Sequence, residues 1–203
     1  MLYWIYWEVW NLELEGVKVG YAFTGSFCTL AKSFDIMQQF IDEGAIVTPI
    51  MSENVYGTDT RFGKAADFIA RAEEMCRIPV MHLVTETEVI GPKNMLDIMV
   101  VAPCTGNTLG KLANGINDTA VTMAVKATIR NAKPIVVAVS TNDGLSGSAK
   151  NIGMLLNYKN FFFVPFEQDD SVKKPNSLVA KFNLILPTVK MALRGVQIQP
   201  VLR

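Results

Sequence analysis

Little in this chain points to disulfide or metal chemistry. Among 203 residues there are three cysteines, Cys28, Cys76 and Cys104, and a single histidine, His82. The cysteines are scattered and form no CxxC pair, so no disulfide framework is expected and a reducing, cytoplasmic setting fits. One histidine without clustered cysteines or carboxylates gives no transition-metal site, and the expected metal set is none. Neither sign of charge is in excess, because Lys+Arg and Asp+Glu both number 19. That balance points away from nucleic acid and from an acidic membrane surface. The usual nucleotide motifs are missing as well. Gly20-Tyr21-Ala22-Phe23-Thr24-Gly25-Ser26 has no P-loop lysine, Gly106 to Lys111 is one residue short of that spacing, and no GxGxxG follows a strand. Gly144-Leu145-Ser146-Gly147-Ser148 misses the nucleophile elbow.

What is present is a chain that is half hydrophobic and 19 % charged, as expected of a soluble globular protein long enough for one sizeable core. Residues 1–15 stand apart. Met1 to Trp10 holds all three tryptophans but is interrupted by Glu8, is too short to span a bilayer and lacks the basic start of a signal peptide. It reads as an extension, either an arm packed on a neighbouring protomer or, the favoured reading, an upstream segment foreign to the domain. A single domain is expected over residues 16–203.

Within that domain, apolar runs alternate with helical periodicity. Strands are expected at Lys18 to Phe23, Ala45 to Met51, Pro79 to Val84, Ile98 to Ala102, Pro134 to Val139 and Phe161 to Val164. Helices are marked by Leu30, Phe34, Met37 and Ile41, with Gly44 ending the first; by Ala65, Phe68, Ile69 and Ala72, with Asp59 or Thr60 near its start; by Leu109, Leu112 and Ala113; by Val121, Val125 and Ile129; and by Ala149, Ile152, Leu155 and Leu156. Glu53 to Phe62, Glu86 to Pro92 and the charged Glu167 to Asn176 read as loops. Final helices are expected from about Ser177, with Pro187 forcing a restart. Strands alternating with helices argue for an α/β fold, a doubly wound and mainly parallel sheet flanked by helices.

The stretch from Met99 to Asp118 organises this pattern. Its strand should stop at Pro103, which cannot donate to a ladder, and Cys104 to Thr108 then turn into a helix. Such a turn offers free backbone N–H groups to an anion, although Asn107 or Thr108 could simply cap the helix. In open α/β sheets ligands gather beyond the carboxyl ends of the strands. Four expected strand ends carry small hydroxyl or amide residues: Thr24-Gly25-Ser26, Ser52, Thr105 to Thr108, and Ser140 to Asn142. Their convergence suggests a phosphate-bearing ligand. Cys104 lies nearby, but without a neighbouring histidine it reads as a small hydrophobe.

These residues also carry a resemblance. Ala102-Pro103-Cys104-Thr105-Gly106-Asn107-Thr108-Leu109, with Lys111, Ala113-Asn114-Gly115 and Asp118, looks like the flavin-binding signature of the FMN-dependent cysteine decarboxylase and prenyltransferase superfamily, whose first phosphate turn matches Thr24-Gly25-Ser26. More closely, the chain resembles the family of dipicolinate synthase B subunits of spore-forming bacteria. The matching stretches include Gly20 to Thr29, Asp59-Thr60-Arg61-Phe62-Gly63, Gly91-Pro92-Lys93, Ser140-Thr141-Asn142-Asp143, Phe163-Val164-Pro165-Phe166 and Lys173 to Ala180. The likeness runs from about Gly16 to Leu202.

The resemblance implies a Rossmann-like flavoprotein fold and FMN held by Thr24, Gly25, Ser26, Ser52, Thr105, Gly106, Asn107, Thr108 and Ser140. It implies a cytoplasmic role in the mother cell of a sporulating bacterium, helping to convert a dihydro- or hydroxytetrahydro-dipicolinate precursor to pyridine-2,6-dicarboxylate. The partners it implies are the dehydrogenase-like A subunit of dipicolinate synthase and further copies of the chain. Arg61, then Lys174, are the candidates to hold the small dicarboxylate, because an arginine fork can grip a carboxylate through two bonds. No catalytic residue is assigned. The superfamily's decarboxylases use a histidine after the second strand, and Ser52 to Phe62 contains none; their Pro-Ala-Met-Asn segment is Ser140-Thr141-Asn142-Asp143 here. The alternatives are a non-catalytic partner of the A subunit with a degenerate flavin site, or an FMN-dependent decarboxylase of another small acid.

Overall fold

A computed structural model describes residues 14–203. The Trp-rich extension therefore lies, apart from Leu14 and Glu15, outside the described residues. Seven strands form one sheet: β1 (Lys18–Phe23), β2 (Ile46–Met51), β3 (Ile98–Cys104), β4 (Ile135–Thr141), β5 (Phe161–Phe163), β6 (Phe166–Asp170) and β7 (Lys174–Ala180). Their order is β2-β1-β3-β4-β7-β6, with β5 also paired to β4. The pairs among β1 to β5 are parallel, and β7 runs antiparallel to both β4 and β6. On the outer edge of β4, β5 pairs with Ile135 to Val137 and β7 with Ser140 and Thr141.

The helices are α1 (Leu30–Asp42), α2 (Glu53–Gly57), α3 (Ala65–Cys76), α4 (Val84–Thr87), α5 (Gly106–Ala113), α6 (Ala120–Arg130), α7 (Ala149–Leu156) and α8 (Ile185–Ala192). One group, α1, α3 and α8, packs together, and a second joins α4 to α7. Every residue of β3 is buried, as a central strand covered on both faces must be. Leu30, Phe34, Met37 and Phe40 give α1 its buried stripe, and Gly44, at φ +83°, turns the chain beyond its end. The Asp59 carboxylate accepts the Ala65 N–H at 2.9 Å and so satisfies a first-turn donor of α3. Among the described residues no helix is long and apolar enough to cross a membrane.

Several local expectations are corrected. β3 continues through Pro103 to Cys104, because its register with β4 shifts between Val101 and Cys104 and the irregularity absorbs the missing donor. Pro79 to Val84 is not a strand; only Met81 bridges to Ile50. Two of the expected loops contain helix, α2 in Glu53 to Phe62 and α4 with a following 3₁₀ turn in Glu86 to Pro92, each too short to show a period. Glu167 to Asn176 belongs to the β6–β7 hairpin, whose outer residues are solvated on both faces and so lack alternation. Ser177 lies in β7, and the last helix is continuous. Pro187 sits in the first turn of α8, where its missing N–H costs no hydrogen bond.

Candidate functional site

The parallel topology brings the carboxyl ends of β1, β2, β3 and β4 to one side of the sheet. Thr24, directly after β1, is buried, and its Oγ1 donates to the Pro103 carbonyl at 2.8 Å and accepts the Thr105 N–H at 3.0 Å. That pair of bonds fixes the end of β1 against the end of β3. Ser33 of α1 donates to the Ala102 carbonyl and ties the first helix to the same place. The ends of β1 and β4 meet through Ser26 Oγ and Ser140 Oγ, 2.8 Å apart.

Thr105 is the cap of α5, and neither Asn107 nor Thr108 takes that role. Its Oγ1 accepts the Thr108 N–H at 3.4 Å and lies 3.1 Å from Thr108 Oγ1. The backbone N–H groups of Gly106 and Asn107, in the first turn, have no intrahelical acceptor. A cavity of 350 Å³ opens there, lined by Thr24, Gly25, Ser52, Glu53, Asn54, Thr105, Asn107, Thr108, Lys111 and Thr119. The backbone of Ser52 is held by Phe23 and Tyr56, but its side chain is not engaged. Its Oγ is buried and has no hydrogen-bond partner among the described residues, although it occupies the cap position of α2. An unpaired buried hydroxyl is costly, and a ligand oxygen would relieve it.

A larger cleft of 1190 Å³ adjoins this cavity and shares Gly25 and Thr105 with it. Ser26, Ser140, Arg61 and Lys174 line it, with Lys32, Asp143 and the inner face of β7. The chosen site residues are thus brought to one end of the sheet, divided between two connected spaces. Gly106 lines neither space. An added Cβ there would stand 2.6 to 2.7 Å from Thr141 Oγ1, Asp143 Oδ1 and Ser148 Oγ, so glycine lets α5 approach the turn after β4.

The electrostatics of the cleft are mixed. Hydrogen bonds from Thr141 and Ser148 hold the Asp143 carboxyl below its ordinary range. Lys174 is paired with Asp169 at 2.6 Å, and that carboxylate raises its pKa. Lys181 is paired with Glu167. Arg61 lies over the Phe62 ring, 4.8 Å from its centroid. Cys104 is fully buried and its thiol is pushed well up by burial, which suits packing and not nucleophilic attack. His82 lines neither space; it stacks on Tyr56 with ring centroids 3.6 Å apart. Among the described residues no group of three or more His, Cys, Asp or Glu side chains could hold a metal ion.

Sequence reasoning missed Lys32 and Asp143. The signal for Lys32 was its place four residues after Cys28, near the start of the helical segment that follows the β1 end. Asp143 follows Ser140 to Asn142 at the end of β4, but its approach to Gly106 spans 37 positions of chain, from 106 to 143, and leaves no local trace.

Comparison with known proteins identifies the family and the fold. Residues 10–181 match the Flavoprotein family. The chain is 44% identical over 190 residues to the B subunit of dipicolinate synthase of Bacillus subtilis, covering 94% of this chain and 95% of that protein. The crystal structure of the dipicolinate synthase B subunit from Bacillus halodurans C superposes with a TM-score of 0.87 at 43% identity, covering 95% of this chain and 98% of that one. The FMN-dependent cysteine decarboxylase SpaF, at 16% identity and a TM-score of 0.66 over 89% of this chain and 99% of its own, shares the fold. The chain belongs to the Flavoprotein family and, within it, to the family of dipicolinate synthase B subunits.

Proposed function

We propose that this chain is the B subunit of a dipicolinate synthase and works with the A subunit in the cytoplasm of the sporulating mother cell. The observation that carries the reading is the near-full-length likeness to B subunits in both sequence and fold. The cofactor proposed is FMN. The smaller cavity suits its phosphate and hydroxyls, because the orphaned Ser52 hydroxyl, the Asn107 amide, the Thr108 hydroxyl and the start of α5 present donors there. Gly25 leaves room between the two spaces, while Thr24 shapes the site through its backbone bonds. Ser26, Ser140 and Thr105 supply hydroxyls at the mouth of the larger cleft, and Gly106 sets how near α5 comes to β4.

Aromatising a dihydropyridine removes a hydride and a proton, and a flavin, when bound, is the group that can accept the hydride. This chain's own residues bind and orient. Arg61 and Lys174 open on the larger cleft and are proposed to meet the dicarboxylate, Lys174 with Asp169 already on its ammonium. The chain has no dinucleotide fingerprint, so a pyridine-nucleotide-linked step falls to the A subunit. Self-association into a homo-oligomer is also proposed.

The test is purification followed by flavin analysis and assay. The expected result is yellow protein that releases FMN on denaturation and yields dipicolinate from the precursor efficiently only with the A subunit present. Full turnover by this chain alone would defeat the two-subunit reading. The non-catalytic alternative has its own support, since the Glu53 carboxylate lines the smaller cavity and opposes a phosphate. Flavin-free protein that still stimulates the A subunit would establish it. The decarboxylase alternative lacks its histidine, because His82 reaches neither space.

A further inference from the structure

Four cations line the larger cleft: Lys32, Arg61, Lys174 and Lys181. Two of them are already neutralised, Lys174 by Asp169 and Lys181 by Glu167. A carboxylate that approached Lys174 would have to displace or share Asp169. Lys32 and Arg61 have no carboxylate partner among the described residues. Lys32 is the third residue of α1, one turn in from the 3₁₀ turn Phe27–Thr29 that runs directly into that helix beside the β1 end. An anion in the cleft would supply the partner that its ammonium lacks. Arg61 enters the cleft from the segment between α2 and α3, so the two cations reach it from different parts of the chain. The Asp143 carboxylate, ionised and held by two hydroxyls, lies on the β4 side and repels carboxylates from there.

We infer that Lys32 is a substrate-binding residue, and that Lys32 and Arg61 each take one carboxylate of a cyclic dicarboxylate lying in the larger cleft. The inference rests on the proposed function for the substrate class, and it replaces Lys174 with Lys32 as the second anchor. Its signature is selectivity. A dicarboxylate uses both cations, whereas a monocarboxylate needs only one, and the arginine fork is the better single site.

The test is calorimetric titration of the full-length protein, as purified, with pyridine-2,6-dicarboxylate and with pyridine-2-carboxylate. Metal-free buffer is needed because the dicarboxylate chelates divalent cations. The parent should prefer the dicarboxylate. Lys32→Gln should weaken dicarboxylate binding about tenfold or more, with little effect on the monocarboxylate, so the preference collapses. Lys32→Arg should restore it. Flavin content and melting temperature should not change, since Lys32 is exposed.

An unchanged dicarboxylate affinity in Lys32→Gln overturns the inference. So does a loss of flavin without a loss of selectivity, which would make Lys32 a cofactor residue. If the parent yields dipicolinate with the A subunit while Lys32→Gln keeps its KM, this inference alone fails. If the parent neither binds the dicarboxylate nor supports its formation, the proposed function fails and takes the inference with it.

Discussion

Ser26 and Ser140 are 114 positions apart in the chain, yet their hydroxyl oxygens lie 2.8 Å from one another. Their strands are not neighbours, because β3 runs between β1 and β4. The turn after β1 therefore bends across the end of β3 to reach β4, and Gly25 within it lines both the smaller cavity and the larger cleft. Ser140→Ala should leave Ser26 Oγ with Thr29 as its remaining hydroxyl partner. The expected loss is about 1 kcal/mol, or roughly 2–4 °C in melting temperature for a chain of this size, with reduced flavin retention. Thermal melting beside flavin quantitation reads both, and retained flavin in a destabilised variant would make the pair purely structural.

Thr24 makes a different prediction, because its hydroxyl serves the backbone on both sides. Thr24→Val keeps the shape but strands the Pro103 carbonyl and the Thr105 N–H, both next to the site. Unmade buried hydrogen bonds cost about 1–3 kcal/mol. Urea denaturation should show a lower midpoint with an unchanged slope, and a midpoint equal to the parent's would remove Thr24 from the latch.

Gly106→Ala places a methyl against three oxygens at 2.6 to 2.7 Å. Either α5 or the turn after β4 must retreat, at a cost of about 1–3 kcal/mol. Ligand binding should suffer beyond the loss of stability, because the retreat widens the shared wall at Thr105. A variant as stable as the parent and with the same flavin affinity would show that the approach is not needed.

Asp143 predicts a pH dependence with a definite sign. Its carboxyl is held below the ordinary range by Thr141 and Ser148, so the folded state binds its proton less readily than the unfolded chain does. The stability it contributes is present in full above the unfolded value, about pH 4, and is lost as pH falls through the folded value. Asp143→Asn should therefore be less stable than the parent near neutrality, with the difference narrowing steadily below about pH 4. Denaturation midpoints across an acid series check this, and a constant difference would assign the effect to packing.

How much of the molecule is legible in its sequence follows from the range of each interaction. β1, β3, β4 and the helices α1, α3, α5, α6 and α7 announce themselves, because a buried strand needs a continuous apolar run and an amphipathic helix a fixed period. The hairpin β6–β7 does not, since Glu167 to Asn176 is solvated and its pairing is held by backbone bonds that side-chain pattern does not encode. Pro103 misled for a related reason, as the register shift that tolerates it depends on β4. At the site, Gly25, Ser26, Ser52, Thr105, Asn107, Thr108 and Ser140 could be gathered because strand ends in a parallel sheet share one side. The division of labour among them could not. That Thr24 binds backbone is a contact with a distant part of the chain, and that Asp169 covers Lys174 is a contact between exposed residues. The Thr105 cap of α5 is local, and it is obscured only because Asn107 and Thr108 are equally good capping residues.

Arg61 gives the last prediction. It lies over Phe62 and lines the larger cleft, so two properties are available to it, a planar stack and a two-pronged donor. Arg61→Lys retains the charge but loses both the stack's planarity and the fork. With the A subunit present, the expected result is a higher KM for the dicarboxylate precursor with kcat, flavin content and melting temperature little changed. Such a split marks binding that is equal in the ground and transition states. Arg61→Ala loses the charge as well, and its KM should rise further, by about tenfold over the lysine variant if the lost charge-assisted bond is worth roughly 1.5 kcal/mol. A fall in kcat at unchanged KM would instead place Arg61 on the reacting ring. Parent-like kinetics in both variants would remove it from the cleft's chemistry altogether.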